Sequence, residues 1–231
     1  MKKVALCIAL LLCGQVIAEP APTLPILVPA DHWAPLYEQV NADLQTRLEK
    51  RLQKNPQWAE LIKKKKMAVG LVDLSQPDSA LFARVNGRTM IYAASLPKLG
   101  ILLAVYQAFE DGELEETPEI EDDLNAMIRV SSNRAAARLY NLVGFEKIRS
   151  VLTDPRYALF DKSKEGGLWV GKPYAKQGMR HPDPLKGLVH GANVTQVCRF
   201  YYLLATGRLV SFERSREMLA VLTSPGVHHK F

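Results

Sequence analysis

The chain has 231 residues, of which 48% are hydrophobic and 23% are charged, and its formal net charge is +6. This composition is typical of a globular protein with one good-sized domain or two lobes, and it argues against an intrinsically disordered chain. The excess of positive charge is mild, and no stretch interleaves basic with aromatic residues. The sequence therefore gives no indication of nucleic-acid binding.

The first 18 residues have the layout of a secretory signal peptide. Met1-Lys2-Lys3 precedes an apolar run over residues 4–13, and Val16-Ile17-Ala18 is placed as in a signal-peptidase site. The apolar run is shorter than the roughly 20 residues that a transmembrane helix needs. The sequence therefore predicts cleavage after residue 18, no transmembrane anchor afterwards, and a secreted or periplasmic protein.

Two of the three cysteines lie inside this signal, so the mature chain keeps only Cys198 and forms no internal disulfide. An exported protein without disulfides must be stabilised by its hydrophobic core. This favours a periplasmic or cell-surface enzyme over a small disulfide scaffold.

The first predicted elements follow an unstructured leader over residues 19–30. Apolar residues spaced four apart predict a helix, which a second helical segment continues after Pro56. A buried strand is predicted over residues 67–74, closed by a turn at residues 75–78. A second strand over residues 80–85 turns at Asn86-Gly87 and returns over residues 88–93 as a hairpin. The residues of the first helical stripe are Leu36, Val40, Leu44, Leu48 and Leu52.

The second half of the chain reads as mainly helical around a long loop-rich segment. A buried helix is predicted after Ser95, and helical patterning resumes near Leu124 and again over residues 134–143. Glycines and prolines predict loops over residues 144–190, and loops of this length usually carry function or cover something. Two more helices are predicted, one capped by Asn193 or Thr195 and one over residues 212–222.

Ser95-Leu96-Pro97-Lys98 is the first motif that carries chemistry. Residues i and i+3 of a helix share a face, so the Lys98 amine can reach the Ser95 hydroxyl. Pro97 belongs in the first turn of a helix, which puts Ser95 at the helix start. The alternative is that Ser95 is an ordinary N-cap and Lys98 a hydrated surface residue, because a four-residue match of this kind arises by chance.

Ser131-Ser132-Asn133 is the second motif, and it precedes another predicted helix. With both motifs in this order, the sequence resembles the class A β-lactamase and penicillin-binding serine hydrolase superfamily, whose signatures are S-x-x-K, S-x-N and then K-T-G or K-S-G. The alternative is that residues 131–133 are only a cluster of N-cap residues. The resemblance implies an α/β (α+β) β-lactamase/transpeptidase-like fold, in which an antiparallel sheet packs with an all-helical lobe.

The resemblance also implies a role for each motif residue. Ser95 attacks a strained lactam or an acyl-D-alanine amide, and Lys98 acts as base or proton shuttle. Ser131 passes a proton to the leaving nitrogen, and Asn133 donates a hydrogen bond to a substrate carbonyl. The Ser95 backbone N–H serves as one oxyanion donor. Glu165 falls about where the family carries the glutamate that activates the deacylating water, although a glutamate before two glycines is also typical of a solvated turn.

The sequence departs from the family pattern in three respects. The segment between the two motifs is shorter than in typical class A enzymes, and Trp169 stands where the family has an asparagine beside the deacylating water. No Lys-Thr-Gly or Lys-Ser-Gly occurs in the sequence. We therefore expect residues 31–231 to form one serine hydrolase domain that is incomplete at its C-terminus, with its last strands missing and the edge of the first hairpin unpaired.

These expectations describe a monomeric hydrolase without a cofactor that forms an acyl-enzyme with β-lactams and hydrolyses them. One alternative is a D,D-peptidase or other penicillin-binding envelope hydrolase acting on peptidoglycan peptides, which a non-functional Glu165 would favour. Another is a non-catalytic binding protein on the same fold. Metal-dependent hydrolysis is disfavoured, because the histidines lack the spacing of metal ligands.

Overall fold

A computed structural model describes residues 24–75, 79–223 and 226. The predicted signal peptide lies outside the described residues, as do residues 76–78 of the turn predicted at 75–78. The described residues form seven α-helices, which are α1 (Ala42–Gln53), α2 (Pro56–Lys63), α3 (Lys98–Glu110), α4 (Pro118–Arg129), α5 (Asn133–Thr153), α6 (Val194–Ala205) and α7 (Phe212–Leu222). They also form seven short strands, which are β1 (Val69–Asp73), β2 (Leu81–Val85), β3 (Ile91–Tyr92), β4 (Phe160–Asp161), β5 (Gly166–Gly167), β6 (Trp169–Val170) and β7 (His190–Ala192).

The strands pair into three small antiparallel sheets. β1 pairs with β2, β7 lies between β3 and β6, and β4 pairs with β5. Within the described ranges, each helix is too short or too polar to cross a lipid bilayer.

The first predicted helix begins later than its apolar stripe suggests. Leu36 lies in a separate single 3-10 turn, and the chain is extended at Val40, where it bridges to Phe82 of β2. The Asn41 side chain then accepts a hydrogen bond from the backbone N–H of Leu44 and starts α1. The prediction of one continuous helix from residue 36 was therefore wrong, because pairing with β2 and the Asn41 cap interrupt the four-residue spacing.

The hairpin predicted at Asn86-Gly87 was also wrong. β2 pairs with the preceding strand β1, from Val69 opposite Val85 to Asp73 opposite Leu81, whereas β3 pairs with the distant strand β7. The Asn86 side chain donates to two backbone carbonyls near the end of α2, and the Gly87 carbonyl accepts from the start of α6. These contacts occupy the turn residues, so the chain leaves β2 without folding back on it.

Strand β1 is less buried than predicted. The Leu71 side chain is 42% exposed, and no described strand pairs with the edge of β1 that faces away from β2. Helix α6 packs on this strand, with the Cys198 thiol against Gly70. β1 is therefore covered by α6 on one side.

Helix α3 is the centre of the core, as its apolar sequence predicts. Every residue from Lys98 to Phe109 is buried, and the helix packs against α4, α5, α7 and β6. At Gly100 the absence of a side chain lets Val170 and Leu152 approach. The fold thus fixes the N-terminus of α3, where the first motif lies.

Helix α5 extends further than the sequence indicates. The expected helix over residues 134–143 continues to Thr153 across a kink at Gly144, whose φ is 76°. Ile148, Val151 and Leu152 are buried on one face of the continuation. Residues 145–153 were wrongly assigned to a loop, because Gly144 was taken as the end of the helix. The last two predicted helices are confirmed, and it is Asn193 that caps α6.

Candidate active site

The Ser95–Lys98 motif forms the tight turn that joins β3 to α3. Ala94 has a positive φ of 46°, Pro97 is the N-cap of α3, and the Lys98 backbone N–H donates to the Ser95 carbonyl at 3.1 Å. The Ser95 side chain is exposed, and neither its hydroxyl nor its backbone N–H forms a hydrogen bond with a described residue. The structure therefore does not use Ser95 as an N-cap, and both groups are free to meet a ligand.

Lys98 is buried and tied to the second motif. Its side chain is only 3% exposed, which excludes the hydrated surface lysine of the alternative interpretation. The Nζ atom donates to the Ser131 carbonyl at 2.6 Å, the Ser131 hydroxyl at 3.0 Å and Asn133 Oδ1 at 2.9 Å. The two motifs, 33 residues apart in sequence, thus form one polar cluster around a lysine nitrogen.

The three residues of the second motif have different structural roles. The Ser132 hydroxyl accepts the backbone N–H of Ala135 at 3.2 Å and so caps α5. Ser131 has a positive φ of 55°, a conformation that turns the chain between α4 and α5. Only the middle residue is an N-cap of the kind the alternative interpretation proposes, while Ser131 and Asn133 contact Lys98.

The chemistry available to Lys98 depends on its burial. Removal from water disfavours the ammonium form and lowers the pKa of Lys98 below its ordinary value. The three acceptors match the three hydrogens of an ammonium, so loss of one proton frees a lone pair and releases one acceptor. The expected hydrogen bond between Lys98 and Ser95 is not formed, but both residues line one cavity of about 300 Å³ together with Ser131.

A larger cleft of about 810 Å³ opens on the other side of Ser95 and Asn133. Its far wall is the loop over residues 172–190. The Tyr174 hydroxyl donates to the Ala94 carbonyl at 2.9 Å, and its ring lies 4.9 Å from Lys98 Nζ. The imidazole of His190 stacks on Tyr174 with ring centroids 4.2 Å apart, and burial lowers the pKa of His190.

Tyr174 and His190 were not predicted from the sequence to lie near Lys98. The only signal was the length of the loop-rich segment, which indicates that it covers something without showing what. The contact depends on β3 pairing with β7, because this pairing places His190 beside Ala93. No residue pattern near Tyr174 in the sequence predicts the pairing of β3 with β7.

The base of this loop is closely packed against the core. Trp169 is buried and its indole N–H donates to the His181 carbonyl at 2.8 Å. Gly171 donates to the Val189 carbonyl at 2.7 Å and accepts from the His181 N–H at 2.6 Å. Trp169 therefore serves the packing of the loop and does not line the cleft that Ser95 lines.

Glu165 is not part of this cluster. It is an exposed residue in a left-handed turn, with a φ of 62°. It lines a separate cavity of about 390 Å³ with Arg88 and Lys186, and neither cavity at Ser95 includes it. The structure therefore does not support the predicted role of Glu165 in deacylation. The two glycines after it form β5 opposite β4, which fixes the turn and directs Glu165 to that other cavity.

If a penicillin acylates Ser95, replacement of Glu165 with alanine is accordingly expected to change the rates of acylation and deacylation by no more than about twofold, because Glu165 lies outside both cavities at Ser95 and exposed positions typically contribute only about 0.5 kcal/mol. The measurement is the rate at which a fluorescent penicillin adduct forms and decays. Selective slowing of the decay would restore Glu165 as the group that activates water.

Comparison with known proteins adds evidence on the fold. No protein-family model matches the sequence, and no curated protein matches it. Among solved structures, the chain is similar to a β-lactamase from Sphaerobacter thermophilus DSM 20745, with a TM-score of 0.50 and 21% identity over 68% of this chain and 63% of that chain. It is also similar to PBP-A, with a TM-score of 0.54 and 15% identity over 88% of this chain and 72% of that chain.

The chain thus spans less than two thirds of the Sphaerobacter β-lactamase. At these identities the similarity establishes the fold and leaves the activity to be tested. The mixture of helices and small antiparallel sheets agrees with it, and so does the order of the two motifs. The chain has the fold of the β-lactamase and penicillin-binding serine hydrolases.

Proposed function

We propose that the protein is a serine hydrolase that forms an acyl-enzyme at Ser95 with β-lactams and related acyl-D-alanyl amides. The observation that carries this proposal is the buried Lys98 nitrogen, which donates to Ser131 and Asn133, on a residue that lines one cavity with Ser95. Burying a lysine to 3% exposure with no carboxylate partner among the described residues is costly, and buried groups with a shifted pKa occur preferentially at functional sites.

In the proposed reaction, the Ser95 oxygen bonds to the substrate carbonyl carbon and the carbon–nitrogen bond breaks. Lys98, once neutral, takes the Ser95 proton, and the Ser131 hydroxyl relays a proton to the leaving nitrogen. The backbone N–H of Ser95, which has no partner among the described residues, donates to the oxygen on which negative charge develops. No proton is gained or lost overall, because the Ser95 proton is matched by the one delivered to nitrogen.

Asn133 is suited to hold the substrate. Its Oδ1 atom accepts from Lys98, which leaves the two hydrogens of its amide nitrogen available as donors. Asn133 also lines the 810 Å³ cleft. We therefore assign it the hydrogen bond to a substrate carbonyl.

The fate of the acyl-enzyme separates a β-lactamase from a penicillin-binding peptidase. Hydrolysis of a stable ester requires a base that activates water, and no aspartate or glutamate is among the described residues that line the two cavities at Ser95. This observation favours the second candidate, a D,D-peptidase-like penicillin-binding enzyme whose β-lactam adduct persists. We place either activity outside the cytoplasm, on the basis of the predicted signal peptide.

The test is to incubate the purified protein with a fluorescent penicillin, digest it with trypsin and locate the adduct by mass spectrometry. The expected adduct lies on the peptide over residues 89–98, at Ser95, and decays slowly while a chromogenic cephalosporin is hydrolysed only slowly. Rapid turnover of the cephalosporin would favour the β-lactamase instead. Absence of any adduct, or an adduct on another peptide, would overturn both enzymatic candidates and favour a binding protein.

A further inference from the structure

The cleft beside Ser95 is lined by cations and by no described anion. Lys172, Lys176 and Arg180 line it from the loop over residues 172–190, opposite Asn133. Within the described ranges, none of these three side chains forms an ion pair with a carboxylate. Their charge is therefore not neutralised by the part of the protein that the structure describes.

The one aspartate on the same loop is committed to a different task. Asp183 is buried, and its carboxylate accepts the backbone N–H groups of Leu185, Lys186 and Leu188 at 2.9, 2.8 and 2.6 Å. These bonds satisfy both of its oxygens and shape the turn. Asp183 does not line the cleft and forms no ion pair with any of the three cations.

Hydrogen bonds join the loop that carries these cations to the turn at Ser95 and to β7. The Lys172 ammonium donates to the Lys176 carbonyl at 3.1 Å and so joins the two ends of the segment over residues 172–176. The hydroxyl of Tyr174, which belongs to that segment, donates to the carbonyl of Ala94, the neighbour of Ser95. The Lys172 carbonyl in turn accepts from the His190 ring at 2.9 Å. The loop that carries the three cations is thus hydrogen-bonded to the turn that carries Ser95, the proposed nucleophile.

We propose that this cleft selects anionic acyl donors, which are peptides or β-lactams whose acyl side chain bears a carboxylate. The inference rests on the proposed acylation of Ser95 and names its substrate class. A cleft lined by charges of one sign concentrates ligands of the opposite sign, by roughly tenfold to a thousandfold. Arg180 adds the planar donor geometry that binds a carboxylate through two hydrogen bonds.

Three penicillins of nearly equal size test this selectivity. Carbenicillin and ampicillin differ from benzylpenicillin only by a carboxylate or an ammonium on the same side-chain carbon. We expect carbenicillin to acylate Ser95 about tenfold faster than ampicillin at low salt, with benzylpenicillin between them. Raising the ionic strength from about 0.01 M to about 1 M shortens the screening length from about 30 Å to about 3 Å. The acylation rates of the three penicillins should therefore become closer to one another.

Variants then locate the effect. Replacing Lys176 and Arg180 together with glutamine should bring the three rates close to each other, and Arg180→Glu should move the preference toward ampicillin. Lys186→Gln is the matched control, since Lys186 lies on the same loop, is exposed, and lines the separate cavity with Glu165. It should leave the ratio between carbenicillin and ampicillin unchanged.

The possible failures are distinguishable. If none of the three penicillins modifies Ser95, the proposed function is wrong and the substrate class falls with it. If all three modify Ser95 at equal rates in low salt, or if the ratio survives in the double glutamine variant, acylation stands and the selectivity is refuted. A circular dichroism spectrum confirms that each variant is folded.

Discussion

Replacement of Lys98 with methionine is expected to slow acylation of Ser95 by about 10²- to 10⁴-fold, the usual contribution of a positioned general base. Methionine has a similar length and no charge, so it suits the apolar surroundings of α3 while removing the nitrogen that contacts Ser131 and Asn133. The measurement is the rate of adduct formation with a fluorescent penicillin. Ser95→Ala lacks the proposed nucleophile and gives the background labelling of the assay. Thermal unfolding shows whether the methionine variant remains folded.

The pH dependence of the unchanged protein gives a second readout of the same residue. The acylation rate should rise with pH as Lys98 loses its proton, with a midpoint below the ordinary lysine value of 10.5 because burial lowers the pKa of Lys98. Since the unfolded chain then binds more protons than the folded one between the two pKa values, stability also rises with pH in that interval. A Lys98→Arg variant stays protonated and should lose the rising limb. Acylation that is undiminished in Lys98→Met would show that Lys98 is not the base.

The sequence predicted the parts of this site that depend on local signals. Pro97 and the apolar run after it place the first motif at the start of a buried helix, and this is where α3 begins. The residues of the second motif precede a helix, and Ser132 caps it. The resemblance to the serine hydrolases implied that the two motifs form one site, because the local signals at two helix termini do not by themselves show that the termini meet.

The parts that were missed depend on pairing between distant segments. An Asn-Gly pair between two apolar runs is a strong hairpin signal, yet here Asn86 is bound by carbonyls near α2 and β3 pairs with β7. The same long-range pairing brings Tyr174 to Lys98, while the turn at Glu165 faces another cavity. Spacing along the sequence could not show whether Glu165 or Tyr174 lies near Lys98, because the path of the loop decides this.

Gly171 offers a way to disturb that path without touching a polar group of the site. A Cβ atom at this position would overlap the carbonyl oxygen of His181 and crowd the Trp169 indole nitrogen, and backbone cannot move aside as a flexible side chain can. Gly171→Ala is therefore expected to lower the free energy of unfolding by about 1–3 kcal/mol, as overpacked positions generally do. It should also shift the loop that carries Tyr174.

Because catalysis falls by about 10²-fold when groups move by an ångström, we expect acylation in Gly171→Ala to drop by about that factor. Gly112→Ala is the control, since an added Cβ there meets nothing within 4 Å and its positive φ of 68° alone imposes strain. That control should lose roughly 1–2 kcal/mol of stability with an unchanged acylation rate. If both variants lose stability and neither loses acylation, the loop over residues 172–190 does not organise the site, and Tyr174 lies over Lys98 without effect on its chemistry.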